Sequence, residues 1–379
     1  FFIGGASGQS GMLYLQNKDG GFIENKSQPW NQDKNMEDLG SIFIDIDNDN
    51  DLDLYVCSGG NEFEIGDKLL EDRLYVNNGQ GKFIKDNSRI PNLRESTECI
   101  KKADVDNDGD MDLFVGGRLI SGKYPFPANS HILINENGQF KDKTNLIAPF
   151  LTKCGLVTDA TFTDFDKDGD QDLIIVGDWM PITVLENIKG EFTDITTKLG
   201  LNKSRGMWWS ITSSDIDNDG DEDFIIGNLG KNIKFKATKE KPFKVYANDF
   251  DDNGTNDVIF AKSYKDDYVP LRGRECTSQQ MPYIANKFKD YHSFASSKLI
   301  DILPENKLEG AIKYEIPSFE SIILINNNDH FVQKTLPIEA QVSPIKSSII
   351  TDVNNDGFND VFVTNGIQHD LSNQDFRNQ

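Results

Sequence analysis

Apolar positions along the chain come in short runs, each rich in β-branched or aromatic residues. Residues 54–56, 113–115, 173–176, 224–226 and 361–363 are such runs, and glycine closes them at Gly59, Gly116, Gly177, Gly227 and Gly366. Another run precedes several of them, as at 41–44 and 160–163. A third follows at 73–76, 131–134 and 182–185, and a brief fourth centres on Phe83, Phe140 and Phe192. Asparagine and glycine between the third and fourth runs, as at Asn77 with Gly79 and Asn135 with Gly138, mark tight hairpins. Four short antiparallel strands, repeated, predict an all-β chain folded as a β-propeller of four-stranded blades. Residues 264–325 break the rhythm. Apolar spacing there turns helical over 278–291 and 296–303, which predicts a helical insertion.

Between the first and second runs stands an acidic nonapeptide, present six times. The first copy carries Asp45, Asp47, Asp49, Asp51 and Asp53, and the second Asp104, Asp106, Asp108, Asp110 and Asp112. The third has Asp164, Asp166, Asp168, Asp170 and Asp172, and the fourth Asp215, Asp217, Asp219, Asp221 and Asp223. Two looser copies follow: Asp249, Asp251, Asn253, Thr255 and Asp257, then Asp352, Asn354, Asp356, Phe358 and Asp360. First residues are spaced by 59, 60, 51, 34 and 103. The first three spacings suit a four-stranded blade of roughly 40–60 residues. Counting units predicts seven blades, or six if the two ends share one. The repeat runs from end to end, so 1–379 reads as one propeller with 264–325 inserted in it.

Nearly half of the 62 acidic residues sit in these loops. A single copy is also ordinary turn chemistry. Six copies in register between strands are not, because so many carboxylates in nine residues repel one another unless a cation neutralises them. A sharp bend brings side chains one, three, five and nine to one point and adds the carbonyl of residue seven. Glycine at position six permits that bend with positive φ, and Asn50 is the nearest substitute. An all-oxygen donor set on a flexible loop suits Ca²⁺ better than octahedral Mg²⁺. Up to six structural Ca²⁺ ions are expected, fewer if the Asn-containing fifth and sixth loops bind weakly. The EF-hand is excluded, since strands flank the loops and no Glu stands at position twelve.

Net charge is −23, with 39 Lys and Arg against 62 Asp and Glu. Such a chain is a poor partner for nucleic acid or an anionic membrane surface. No apolar stretch is long enough for a membrane span. The opening residues Phe1 to Gly5 read as the inside of a strand, so the chain is expected to be a segment of a longer protein. Cys57, Cys99, Cys154 and Cys276 contain no CxxC spacing, and one or two disulfides or four free thiols are both consistent with it.

The DxDxDGxxD loop between strands, followed by an apolar run and Gly-Gly, resembles the FG-GAP/VCBS repeats of integrin α-subunit propellers. Further stretches are similar to the large VCBS-repeat surface proteins of Bacteroidota, related to the ASPIC/UnbV and cartilage acidic protein group. They are LYVCSGGNEF at 54–63, LFVGGR at 113–118, GDWMPIT at 177–183, GNLG at 227–230 and PIEAQ at 337–341. The resemblance implies an exported, non-catalytic propeller, on the extracellular face of the outer membrane or secreted. It implies a protein partner or glycan as ligand, and a place beside an outer-membrane nutrient-uptake transporter.

In a four-stranded blade the second-to-third and fourth-to-first connections lie opposite the acidic loops. Those connections hold Glu62, Phe63, Arg118, Tyr124, Trp179, Trp208, Arg272 and Arg274, the candidates for a ligand face. Aromatic rings beside guanidinium groups suit sugar stacking or a protein anchor. The same residues also suit plain packing over the channel mouth. The rival class is a calcium-dependent polysaccharide-cleaving enzyme, with Glu62 or Glu275 near Arg272 as its acid or base. His131, His292, His330 and His369 lie far apart, and no HExxH or nucleophile elbow occurs. A purely structural spacer is the third class.

Overall fold

The computed structural model describes residues 1–327, 330–357 and 359–365. Strands form where the short apolar runs predict them, and every pairing between neighbours is antiparallel. Blade 1 has three strands, Phe2–Ile3, Met12–Gln16 and Phe22–Asn25. Blade 2 has Glu37–Ile44, Asp53–Gly59, Arg73–Asn77 and Phe83–Lys85; blade 3 has Ser96–Ala103, Asp112–Leu119, His131–Asn135 and Phe140–Asp142. Blade 4 comprises Leu156–Thr163, Asp172–Met180, Thr183–Ile188 and Glu191–Asp194, with Gly206–Met207 added beside its second strand. Blade 5 comprises Ser210–Ser214, Asp223–Gly227, Ile322–Asn326 and Phe331–Thr335, and blade 6 begins with Ile345–Thr351 and Asp360–Asn365. The first strands of blades 2 to 6 lie side by side in chain order.

Side-chain alternation explains why the second strands of blades 2 to 5 are buried at every position and carry unbroken apolar runs. In blade 3, Phe114 faces blade 4, while Leu113 and Val115 face blade 2. In blade 4, Leu173 and Ile175 pack back on blade 3, and Ile174 and Val176 pack forward on blade 5. A strand buried on both faces reads as a continuous run because consecutive residues enter two different cores. The glycine that closes a run marks close backbone approach. A Cβ on Gly227 would lie 2.1 Å from the Ile345 carbonyl of the next blade.

One acidic repeat departs from the expected order. The second strand of blade 5 pairs with Ile322–Asn326, so residues 228–321 form an excursion between its second and third strands. This excursion carries its own sheet, ordered Asp267–Pro270, Asp257–Tyr264, Phe243–Asn248 and Ile312–Ile316. The fifth acidic loop lies in that nested sheet, not in a further blade. Seven sheets therefore form among the described residues, six of them as blades and one nested in the excursion. The spacing of 34 residues before the fifth loop is too short for four strands, which is the physical reason that loop founds no blade of its own.

Helices fill the expected insertion, at Arg274–Gln280, Tyr283–Lys287, Tyr291–Ala295, Leu299–Ile302 and Glu305–Glu309. Pro282 and Pro304 break the predicted helical stretches into single turns. The nested sheet is a middle layer. Phe243, Val245 and Phe260 pack on Leu119, Tyr124 and Trp179 of blades 3 and 4, while Ile259 and Ala261 pack on Met281, Ile284 and Phe294 of the helices. All four cysteines are unbridged.

Adjacent blades are also joined by a repeated polar latch. Asn135, Asn187 and Asn326 end the third strands of blades 3, 4 and 5. Their side-chain amides donate to the carbonyls of Ile46, Val105 and Phe165 in the preceding blade, each at 2.9 Å. Asn187 Oδ1 also accepts the Gly190 N–H at 2.9 Å, closing the hairpin. Replacing Asn187 by Ala leaves buried donors and acceptors unpaired, at about 1–3 kcal/mol. Asn187→Ala is expected to lower the urea midpoint with an unchanged m-value, and an unaltered midpoint would count against the latch.

His131 forms a second buried polar link, with Nδ1 3.0 Å from Asp142 and Nε2 3.1 Å from Glu95. Burial opposes the imidazolium, but hydrogen bonds to the two carboxylates outweigh it and hold the pKa at about 9. A raised histidine contributes stability that is complete below the unfolded value near 6.5 and lost as pH rises through 9. Melting temperature is therefore expected to fall between pH 7 and 9.5 in the wild type, and more shallowly in His131→Gln.

Candidate functional site

All six acidic loops bend alike. Residues four and six adopt left-handed backbone, at φ 60° and 97° for Asn107 and Gly109, and 58° and 89° for Asn355 and Gly357. The bend turns the backbone N–H groups of residues five and six onto the carboxylate of residue one. In the second loop Asp104 accepts from Asp108 at 3.1 Å and Gly109 at 3.0 Å. The carboxylate of residue five accepts the N–H of residue seven, as Asp108 does from Asp110 at 2.9 Å. In five loops, three carboxylates have oxygens within 4.8 Å of one another: Asp45, Asp47 and Asp49; Asp104, Asp106 and Asp108; Asp164, Asp166 and Asp172; Asp215, Asp217 and Asp223; Asp249, Asp251 and Asp257. The sixth loop keeps the backbone pattern, with Asp352 accepting from Asp356 and Gly357, but Asn354 turns its amide to Asp356. Phe358 lies outside the described residues.

The ninth residue has a double role. Asp53, Asp112, Asp172, Asp223 and Asp257 are fully buried. One oxygen of each accepts the N–H of residue two of its loop, as from Val105 to Asp112 at 3.0 Å. In blades 2 to 5 the other accepts the N–H of the third-strand Asn, as from Asn135 at 2.8 Å. Burial pushes these carboxyls up and the N–H donors pull them back, leaving Asp53 at about 6 and Asp112 and Asp172 at about 7. A positive neighbour would favour the ionised form of carboxyls this costly to ionise.

The side chains at position seven do other work. Asn48 donates to Asp110 at 2.6 Å, Asn107 donates to Asp170 at 2.7 Å, and Lys167 pairs with Asp221. The first three loops thus each hold the next through residue four. Sequence reasoning did not single out position four. Its signal was asparagine at Asn48, Asn107, Asn218 and Asn355, a residue that tolerates left-handed backbone and carries a donor. What remains for a cation is residues one, three, five and nine, plus the carbonyl of seven. Buried oxygens of Asp164 and Asp251 have no hydrogen-bond partner. Orphaned carboxylate oxygens in an all-oxygen, left-handed cradle fit a Ca²⁺ ion, which would bind them together and neutralise the loop.

On the opposite end, the predicted ligand-face residues divide. Arg118 is buried, with Nε 2.6 Å from Glu98 and Nη2 2.8 Å from Asp178. Tyr124 is buried and its hydroxyl accepts from Trp179 Nε1. Trp179, at φ 58°, is only 1% exposed, its ring stacked 5.9 Å from Phe243 and 5.8 Å from Phe260. Trp208 lies in the core between blades 4 and 5, donating to the Ser204 carbonyl at 3.1 Å. Tyr124 and Trp179 pack the excursion onto the blades, while Arg118 and Trp208 join neighbouring blades, so neither indole offers a face to a sugar. Arg274 donates to the Phe288 carbonyl at 2.6 Å and lies over the Tyr291 ring, which knits the helices together. Arg272 and Phe63 are half-buried, and Arg272 lines a cleft of about 350 Å³ with Tyr124. Exposed Glu62 sits beside Glu37, whose carboxyl is raised by burial and then by Glu62. Exposed Glu275 accepts the Tyr291 hydroxyl at 2.8 Å.

The pKa directions fix the sign of a pH effect. Without a cation, raised carboxyls contribute stability below about pH 4, lost as pH rises through 6 to 7. A cation requires the ionised form, so protons compete with it as pH falls. Added Ca²⁺ is expected to raise the melting temperature by many degrees at pH 8 and by less at pH 5.5. An equal melt in calcium and in excess chelator at pH 8 would refute cation binding by these loops.

No characterised protein sequence matches the chain. Among solved structures, a lectin from Agrocybe aegerita that recognises non-reducing terminal N-acetylglucosamine is 13% identical, with a TM-score of 0.38, covering 96% of this chain and 94% of the lectin. The rhamnogalacturonan lyase YesX is 12% identical at a TM-score of 0.34, covering 71% of this chain and 50% of the lyase. A Bacillus licheniformis rhamnogalacturonan lyase is 13% identical at 0.33, covering 66% and 50%. The chain thus spans about half the length of these lyases. The blades, defined by their own strand pairing, carry FG-GAP-like repeats: residues 45–115 and 164–226 match that family.

Proposed function

We propose that this chain is a calcium-stabilised, non-catalytic propeller that presents a binding face for a glycan or a protein partner. The observation that carries the reading is a division between the two ends of the blades. At one end the first four acidic loops are linked to one another through residues four and seven and to the strands through residue nine. At the other, residues 228–321 lie over blades 3 and 4 and open clefts of about 350 and 330 Å³. The first end is framework; the second has the concave surface that recognition requires.

The finer assignment keeps the surface setting implied by the repeat. The protein would work on the extracellular face of an outer membrane or in secreted form, with Ca²⁺ supplied from outside the cell. An accessory place in a nutrient-uptake assembly of a Bacteroidota-type outer membrane suits a rigid binder with no chemistry of its own. No helix among the described residues is long and apolar enough to cross a membrane.

The test is a glycan array together with affinity capture from native outer membrane, each run in calcium and in chelator. Retention of a glycan set or one stoichiometric surface protein in calcium only is the expected result. Failure to retain either, from a protein shown to be folded and calcium-loaded, would leave only a spacer.

A further inference from the structure

We infer that the outer edge of the nested sheet bears an extended groove for an acidic oligosaccharide, with Arg272 at the junction of two sugar subsites. The proposal rests on the glycan arm of the reading above. The first subsite is the cleft of about 350 Å³ between Tyr124, the nested sheet and the helix Arg274–Gln280. Its floor is apolar, from Val258 and Phe260, and its rim carries the amides of Asn256, Gln279 and Gln280. An apolar floor under fixed amides is what the C–H face and hydroxyl rim of a pyranose ring require. The wall is rigid, because Asn256, the eighth residue of the fifth acidic loop, donates to the Tyr124 carbonyl at 2.7 Å.

The second subsite adjoins it. Arg272 also lines a cleft of about 270 Å³ with Lys262, Tyr264 and Pro270. Tyr264 is 58% exposed and offers a ring for stacking, which the buried Trp179 and Trp208 do not.

Charge selects the ligand. The chain has 62 acidic residues and a net charge of −23, yet among the described residues no carboxylate lines either cleft, while Arg272 lines both and Lys262 the second. By contrast, the cleft of about 330 Å³ beneath Trp179 has mixed charge, with Asp178 and Asp194 beside Lys153 and Arg205. An acid-free groove with two cations on so acidic a surface suits a sugar bearing carboxylate or sulfate, with guanidinium as the bidentate partner. Cys276 lines the first cleft and serves as a reporter.

The experiment uses the full chain at one fixed free calcium concentration. Titration calorimetry with oligogalacturonate, a sulfated galactan fragment and a neutral cello-oligosaccharide separates carboxylate, sulfate and charge-independent binding. Wild type is expected to bind at least one acidic probe and not the neutral one. Affinity should fall at least tenfold in Arg272→Gln, and several-fold in Lys262→Ala and Tyr264→Ala, whose exposed side chains make unfolding no explanation. Bound acidic probe should slow alkylation of Cys276 as read by mass spectrometry. Equal affinity for the neutral probe, or acidic binding unchanged in all three variants, overturns the groove while leaving glycan recognition standing. Absence of binding to every sugar tested on a broad array overturns both.

Discussion

A buried carboxylate at the ninth position of the first five acidic loops is the constraint on which the blades depend. A carboxylate shielded from water is tolerated only when its oxygens are hydrogen-bonded. Asp112 satisfies that demand with the Val105 N–H at the start of its own loop and the Asn135 N–H at the end of the third strand. The loop is thereby closed and the third strand is held in register. Asn135 then spends its side-chain amide on the Ile46 carbonyl of blade 2. One acidic residue so connects loop, blade and neighbouring blade. Repeated at Asp172 and Asp223, the connection passes from blade to blade without relying on the apolar contacts alone.

The arrangement also indicates what a cation bound in these loops would do for the fold. Residues one and five of each loop are already committed to backbone N–H groups, which set the cradle before any ion arrives. Residue seven is committed to the neighbouring loop. An ion would contribute neutralisation and little shaping, so its effect falls on stability, through the raised carboxyls of Asp53, Asp112 and Asp172.

Much of this was legible in the sequence because strands buried on both faces leave continuous apolar runs, and left-handed turns leave glycine. Leu113, Phe114 and Val115 announced a strand, and Gly109 announced the bend before it. Nesting was harder to see. The fifth loop has the same local chemistry as the others, and only a spacing of 34 residues distinguished it. Strand exchange between Gly227 and Ile322 is a long-range pairing, and no local pattern encodes it. The ligand face was read least well. Trp179 and Trp208 have the composition of a sugar platform, but whether an indole is exposed depends on what covers it. Here the cover is Phe243 and Phe260 for Trp179, both from the nested sheet.

Net charge and local charge lead to different expectations for the partner. A charge of −23 disfavours nucleic acid, whose phosphates must be neutralised over many contacts. A short acidic sugar meets only the groups near it, because exposed charges beyond about 8 Å are largely screened at physiological ionic strength. Nearly half the acidic residues are gathered in the loops, and the fifth of these loops lies in the excursion, where its Asn256 walls the first cleft. Among the described residues the two clefts are nevertheless lined by Arg272 and Lys262 and by no carboxylate. The anionic ligand proposed for the groove therefore depends on which side chains reach its surface, and not on the net charge of the chain or on keeping acid at one end of the blades.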